Sequence, residues 1–195
     1  MLWNVPNLLT ILRIALIPVF VGIFYLPHNL FELGLQPMHT LNIIAASAFS
    51  LASFTDWLDG YWARTFNQTS GFGAFLDPVA DKLMVAAALI VLVELDRVGA
   101  VVCLIIIGRE IAISALREWM ASIGKSGNVA VAMIGKIKTA VQMLAILLLL
   151  YFDHVGGFNT ALVGTYLIYI SVILTLVSMA YYLKSAWPII KDSLD

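Results

Sequence analysis

Four aspartates, Asp56, Asp59, Asp77 and Asp81, fall within 26 residues of a chain that carries only 12 acidic side chains in 195. Residues three or four apart share a helical face, so Asp56 and Asp59 form one pair and Asp77 and Asp81 another. Four like charges at short range in water-poor surroundings are costly unless cations offset them. Arg64 and Lys82 supply two positive charges in the stretch, and two divalent cations would supply four more. Clustered carboxylate oxygens are hard ligands for Mg²⁺, Mn²⁺ or Ca²⁺, whereas no Cys/His set points to zinc. Two such ions about 4 Å apart stabilise both the attacking and the leaving oxygen of a phosphoryl transfer. The chemistry implied is displacement at a diphosphate. The competing role is ordinary: helix caps and solvated interfacial acids. Asp77 precedes Pro78, which predicts an N-cap with proline at the first helical position and puts Asp81 one turn into the following helix.

Those carboxylates need a scaffold, and the composition says which kind. The chain is 62% hydrophobic and 12% charged, with a mean hydropathy of +0.96; a soluble domain of this length could not cover so much apolar surface. A net charge of -1 and the lack of a basic stripe exclude a nucleic-acid binder. Six apolar windows, residues 8–26, 41–58, 79–95, 100–119, 133–152 and 161–183, are each close to the roughly 20 residues that a bilayer crossing needs. They predict an all-α integral membrane bundle of six transmembrane helices, a single domain over residues 1–195. Arg13, Arg64, Lys82, Arg117, Lys136 and Lys138 fall toward one side and Arg97 toward the other, which predicts that both termini are cytoplasmic. His28, His39 and His154 then belong to loops on the opposite side. No positively charged segment precedes the first window, so it reads as a retained helix. Cys103, the single cysteine, lies in an apolar run and reads as packing.

The segment Asp56-x2-Asp59-Gly60-x2-Ala63-Arg64-x8-Gly73-x3-Asp77-x3-Asp81 resembles the signature of the CDP-alcohol phosphotransferases, with no departure at a signature position. The resemblance implies a six-helix membrane enzyme, usually a homodimer. Such enzymes pass the substituted phosphate of a CDP-alcohol to a hydroxyl acceptor and release CMP. It further implies that the four aspartates hold two divalent cations, Mg²⁺ or Mn²⁺, and that Asp81 is the general base. Asp56, Asp59, Gly60, Ala63, Arg64, Gly73 and Asp77 would seat the CDP. Small residues at Gly60, Ala63 and Gly73 suit this, because a flat nucleotide approaches backbone only where side chains are short or absent.

Outside the signature, Val5-Pro6-Asn7-Leu8-Leu9-Thr10-Ile11-Leu12-Arg13, Gly108-Arg109-Glu110, Ser114-Ala115-Leu116-Arg117-Glu118-Trp119 and Gly135-Lys136-Ile137-Lys138-Thr139 are similar to the bacterial branch of that family that forms phosphatidylglycerophosphate. This implies CDP-diacylglycerol and sn-glycerol 3-phosphate as substrates, and an inner (cytoplasmic) membrane location with the site facing the cytoplasm. An acceptor bearing a phosphate needs cations beyond those that balance the aspartates. Arg109 sits about ten residues into the fourth helix, roughly 15 Å from its outer end, where a charge should face a polar cavity. Arg117 is about 80° further round, so both can border one pocket. Lys136 and Thr139, three apart at the start of the fifth helix, meet free backbone N–H groups that favour an anion. With Lys138 these are the acceptor-phosphate candidates, against competing roles as positive-inside anchors, snorkelling side chains or, for Arg109, a partner of Glu110. Asn7, Thr10 and Arg13 are further candidates, with a helix–helix polar contact as the alternative for Arg13. Rival readings keep the chemistry with another acceptor, such as inositol phosphate, serine or phosphatidylglycerol, or make the acids part of a cation-coupled transporter. The transporter predicts acids near the midplane and broken helices in related halves, whereas these cluster at one interface.

Overall fold

The computed structural model describes residues 5–25, 37–65, 71–124 and 132–192, apart from the side chains at 5, 6, 37, 57–65, 72, 74, 132–134, 136 and 192. Six helices carry these residues: α1 (Val5–Ile23), α2 (Pro37–Thr65), α3 (Gly71–Glu94), α4 (Ala100–Ser122), α5 (Ala132–Tyr151) and α6 (Thr160–Asp192). The fold is all-α apart from a two-residue hairpin between α5 and α6, β1 (His154–Val155) and β2 (Phe158–Asn159). Gly156 and Gly157 turn it at φ of 53° and 86°, the left-handed pair that a tight hairpin requires.

Two windows were too short, for the same reason. Hydropathy ends where polar residues begin, but a helix ends only where its backbone hydrogen bonds stop. α2 runs on to Thr65, so Gly60, Ala63 and Arg64 stand on a helix and not in a connection. α3 begins at Gly71, so Asp77 and Pro78 lie inside it and the expected N-cap at Asp77 does not form. A proline in a helix interior costs about 3 kcal/mol. Here α3 packs along α1, and the Asp77 carboxylate accepts a hydrogen bond from Thr10 instead of from its own backbone. α6 likewise passes the end of its window and continues through Pro188.

Helix pairs α5/α6, α1/α3, α1/α2, α2/α5 and α4/α6 make the main contacts. Their shared core joins Phe20, Phe49, Leu89, Leu92, Ile106, Ile146, Leu149 and Ile168, with Ala45, Ala88 and Ala145 letting backbones approach. A Cβ placed on Gly164 would lie 2.8 Å from the Leu149 Cγ, so α6 crosses α5 where only glycine fits. Large apolar side chains also cover the outside, among them Leu12, Val19, Leu51, Ile90, Leu104, Tyr166 and Ile173. Such an exterior suits hydrocarbon, not water. Among the described residues one helix, α6, is long and apolar enough to cross a membrane, at a hydropathy of 2.1; α1 and α5 hold shorter apolar stretches, Asn7–Ile23 and Ile137–Tyr151. The other helices carry Asp56, Asp77, Asp81, Lys82, Arg109, Glu110 and Arg117.

The end of the bundle away from the aspartates is tied by side chains that spacing did not reveal. Arg97 donates from Nη1 to the Leu149 and Leu150 carbonyls, at 2.9 Å each, and from Nη2 to Asn42 Oδ1 at 2.6 Å. Its guanidinium lies 4.3 Å from the Phe152 ring centroid, and burial holds its pKa down to about 10. This cation satisfies the open carbonyls of α5. His39, expected in a loop, stands in the first turn of α2 and pairs through Nδ1 with Asp153 Oδ2. His154 is exposed on β1 as expected, and His28 lies outside the described residues.

Candidate functional site

The aspartates are organised from a helix that the signature does not include. Thr10 and Arg13 are three apart on α1 and so project together. Thr10 Oγ1 donates to Asp77 Oδ1 at 2.6 Å. Arg13 Nη1 donates to Asp56 Oδ1 at 2.6 Å and to Asp81 Oδ1 at 2.9 Å. One nitrogen therefore holds carboxylate oxygens from α2 and α3, which cannot be further apart than the two bonds laid end to end. Arg13 is 2% exposed, while the Asp56 and Asp81 side chains are 41% and 50% exposed. The cation is the buried foundation and the carboxylates face outward. Asn7, one turn earlier on α1, is buried as well.

A cavity of about 260 Å³ opens on this cluster. Arg13, Asp56, Pro78, Asp81 and Lys82 form one side of its lining, and Glu110, Thr139, Gln142 and Met143 are contributed by α4 and α5. Behind the second side lies a group of cations. Glu110 Oε1 accepts from the buried Lys138 ammonium and, at 3.4 Å, from Arg109 Nη1. Arg109, 8% exposed, also donates from Nη2 to Ser178 Oγ on α6 at 2.9 Å, while its buried Nε has no hydrogen-bond partner among the described residues. Arg117 donates to the Tyr182 hydroxyl and lies 4.7 Å from that ring's centroid; Arg109 lies 5.8 Å from the same centroid. Lys138 is within Coulombic range of both arginines.

Asp56, Asp77, Asp81, Thr10 and Arg13 are thus brought to one place, and Gly73 is buried two turns of α3 away from Asp81. Asp59, Gly60, Ala63 and Arg64 lie on α2, but their side chains, like that of Lys136, are outside the described residues. Among the described residues no three acidic, histidine or cysteine side chains form a metal-holding group; Asp59, the fourth carboxylate, is not among those described. Arg109 and Arg117 do not border the cavity as expected, because both turn toward Tyr182 on α6. Nor do Lys136 and Thr139 meet the free N–H groups of α5. That helix starts at Ala132, which leaves both beyond its first turn, and the Thr139 hydroxyl donates back to the Gly135 carbonyl at 3.0 Å. Glu110 pairs with Arg109, the alternative that the sequence offered, whereas sequence reasoning missed Gln142, Ser178 and Tyr182 as members. The available signal was polarity inside an apolar helix: Gln142 is one turn from Lys138 on α5, and Ser178 and Tyr182 are one turn apart on α6.

The carboxylate oxygens from two helices that converge on one positive centre are hard donors of the kind that suit a hard cation. The cations joined to the lining through Glu110 suit an anion, and among the described residues the buried Arg109 Nε is left unpaired. A site with both features can bind a phosphorylated molecule between carboxylate-held cations and basic side chains.

A family model described as CDP-alcohol phosphatidyltransferase matches residues 3–177. A protein of Pseudomonas fluorescens is 47% identical over 196 residues, covering 96% of this chain and 92% of its own. One from Yersinia enterocolitica is 47% identical over 195 residues, covering 98% of each chain, and one from Salmonella typhimurium is 45% identical over 188, covering 95% and 96%. All three bear the name CDP-diacylglycerol–glycerol-3-phosphate 3-phosphatidyltransferase.

Proposed function

Because the chain belongs to the CDP-alcohol phosphatidyltransferase family, we propose that it transfers the phosphatidyl group of CDP-diacylglycerol to sn-glycerol 3-phosphate, giving phosphatidylglycerophosphate and CMP. The observation that carries this is the shared contact of Arg13 with Asp56 and Asp81 at the cavity. The enzyme works as a six-span bundle, a homodimer in the cytoplasmic membrane, with both termini and the site on the cytoplasmic side. The apolar exterior and the relatives' names support that placement. A 260 Å³ cavity is smaller than the roughly 300–1,000 Å³ of sites for drug-sized ligands. It therefore suits the small acceptor, and leaves the acyl chains of the donor outside.

Asp56, Asp59, Asp77 and Asp81 would hold two divalent cations, Mg²⁺ or Mn²⁺, which when bound offset the charge of the diphosphate. Gly60, Ala63, Arg64 and Gly73 are the residues that would seat the CDP. Arg13 and Thr10 fix the carboxylates from behind, so the site needs little reorganisation when the donor arrives. Asp81 accepts the proton of the acceptor's primary hydroxyl; that oxygen bonds to the lipid-linked phosphorus as the bond to the CMP oxygen breaks, and the electron pair leaves on CMP. No covalent enzyme intermediate is required, and positioning does most of the work. Lys138, Arg109, Arg117, Lys136 and Thr139 are the candidates to attract the phosphate of the acceptor.

The test is purified protein in lipid vesicles with CDP-diacylglycerol, with and without sn-glycerol 3-phosphate and divalent ion. CMP release should require both additions, and the lipid product should carry a glycerol-phosphate head. Asp81→Asn and Asp56→Asn should abolish release in protein that still inserts. A different headgroup, or full turnover in either variant, refutes the reading.

A further inference from the structure

The side of the cavity opposite the aspartates holds an amide that no contact among the described residues uses. Gln142 lines the cavity, is 3% exposed, and its Oε1 has no hydrogen-bond partner. Buried side-chain oxygens are nearly always paired, so one left open beside a cavity is a group that a ligand completes. The neighbours indicate what kind of ligand group it is. Lys138, one turn back on α5, and Arg109 are cations that serve a phosphate, joined through Glu110 Oε1. Asp81, across the cavity, serves the hydroxyl that reacts. The open Oε1 of Gln142 is an acceptor, and the amide nitrogen beside it is a donor. A neutral hydroxyl likewise both accepts and donates, whereas an ionised phosphate oxygen only accepts.

Resting on the function proposed above, we infer that Gln142 is a specificity-determining residue whose amide binds the non-reacting hydroxyl of the acceptor. The site then selects a phosphate ester with two adjacent hydroxyls over one lacking the middle hydroxyl. With Asp81 in the lining to take the reacting hydroxyl, and Lys138 and Arg109 joined to the lining through Glu110 to attract the phosphate, the Gln142 amide is left for the remaining hydroxyl.

The experiment compares sn-glycerol 3-phosphate with 3-hydroxypropyl phosphate, which keeps the primary hydroxyl and the phosphate but lacks the hydroxyl between them. Full-length protein in lipid vesicles with CDP-diacylglycerol and divalent ion is assayed for kcat/KM with each acceptor. The wild type should favour glycerol 3-phosphate by about tenfold or more, the discrimination expected of a buried polar group left unpaired by the wrong substrate. Gln142→Met, of similar size and without the amide, should bring the ratio close to one. Gln142→Asn, which keeps the amide but withdraws it by one methylene, should lower the ratio in part and serves as the readout if the Met variant does not fold. A ratio unchanged in the variants, with both acceptors losing equally, overturns the assignment of Gln142. Wild-type protein that releases no CMP with either acceptor overturns the proposed function itself, a different and separable result.

Discussion

Replacing Arg13 by methionine tests the electrostatic foundation of the site. The substitution keeps apolar bulk in a position that is 2% exposed, and it removes a nitrogen that joins Asp56 to Asp81. The two carboxylates would then face each other across a few ångströms. Two unit charges about 4 Å apart repel by about 4 kcal/mol at an effective dielectric constant of 20. Both carboxylates are close to half exposed, so water screens about half of that, leaving about 2 kcal/mol. For a chain of this length that corresponds to about 4–8 °C in thermal midpoint. The assay is thermal unfolding of the purified protein in detergent with chelator, repeated with excess Mg²⁺ or Mn²⁺. In chelator Arg13→Met should melt lower than wild type by that amount. With divalent ion the gap should shrink, because the bound cation replaces the lost charge, and the variant should gain more from the ion than wild type does. A gap of the same size in both conditions would show that Arg13 acts by packing alone and that the carboxylates hold no cation.

Three further outcomes are expected. Gly164→Ala forces a Cβ to within 2.8 Å of Leu149 Cγ and 3.2 Å of Leu148 Cβ; overpacking of this kind should cost about 1–3 kcal/mol, read as a lower thermal midpoint with unchanged kcat/KM in the protein that remains folded. Glu110→Gln strips the buried Lys138 of its counter-ion and should destabilise the chain by about 3 kcal/mol, whereas adding Lys138→Met to it should recover most of that loss; additive losses in the double variant would refute the pairing. The hydrogen bond from His39 holds the Asp153 carboxyl below the ordinary carboxylate range. A depressed folded-state pKa stabilises above about pH 4, the unfolded value, and that contribution is lost as pH falls through the folded value. His39→Gln should therefore move the acid-side fall in thermal stability to higher pH, and an unshifted midpoint would dismiss the contact.

How legible each part was in the sequence depended on whether its cause was local. The fourth and fifth windows, 100–119 and 133–152, lie within three residues of α4 and α5, because their apolar runs stop where turn residues begin, at Gly99 and after Tyr151. The second and third were misjudged where polar chemistry continued on a helix, since neither the pull of Thr10 on Asp77 nor the packing of α1 along α3 is written near Pro78. Six apolar segments were visible as a pattern, yet the helices that bear the site dilute their own hydropathy with the charges they present. Arg97 looked like a lone cation on the far side, and the carbonyls it satisfies lie 52 and 53 residues away.

The balance of charge at the aspartates shows the same limit at the site itself. Counting within the signature gives Arg64 and Lys82 as the positive partners, but the described contact comes from Arg13, 43 residues before Asp56 and 68 before Asp81. Periodicity relates positions a few residues apart on one helix and says nothing about which helix lies alongside. That is why Asp56 and Asp81 could be recognised as a set while Arg13, named as a further candidate or a helix–helix polar contact, could not be assigned to them. It also bears on the chemistry. Arg13 and Lys82 together offset two of the three charges of Asp56, Asp77 and Asp81, so the described part of the cluster keeps one uncompensated carboxylate. On the proposed reading a divalent cation would add positive charge beside that of Arg13, and that is why the Arg13→Met variant and the chelator should weaken the same structure by separate and partly interchangeable routes.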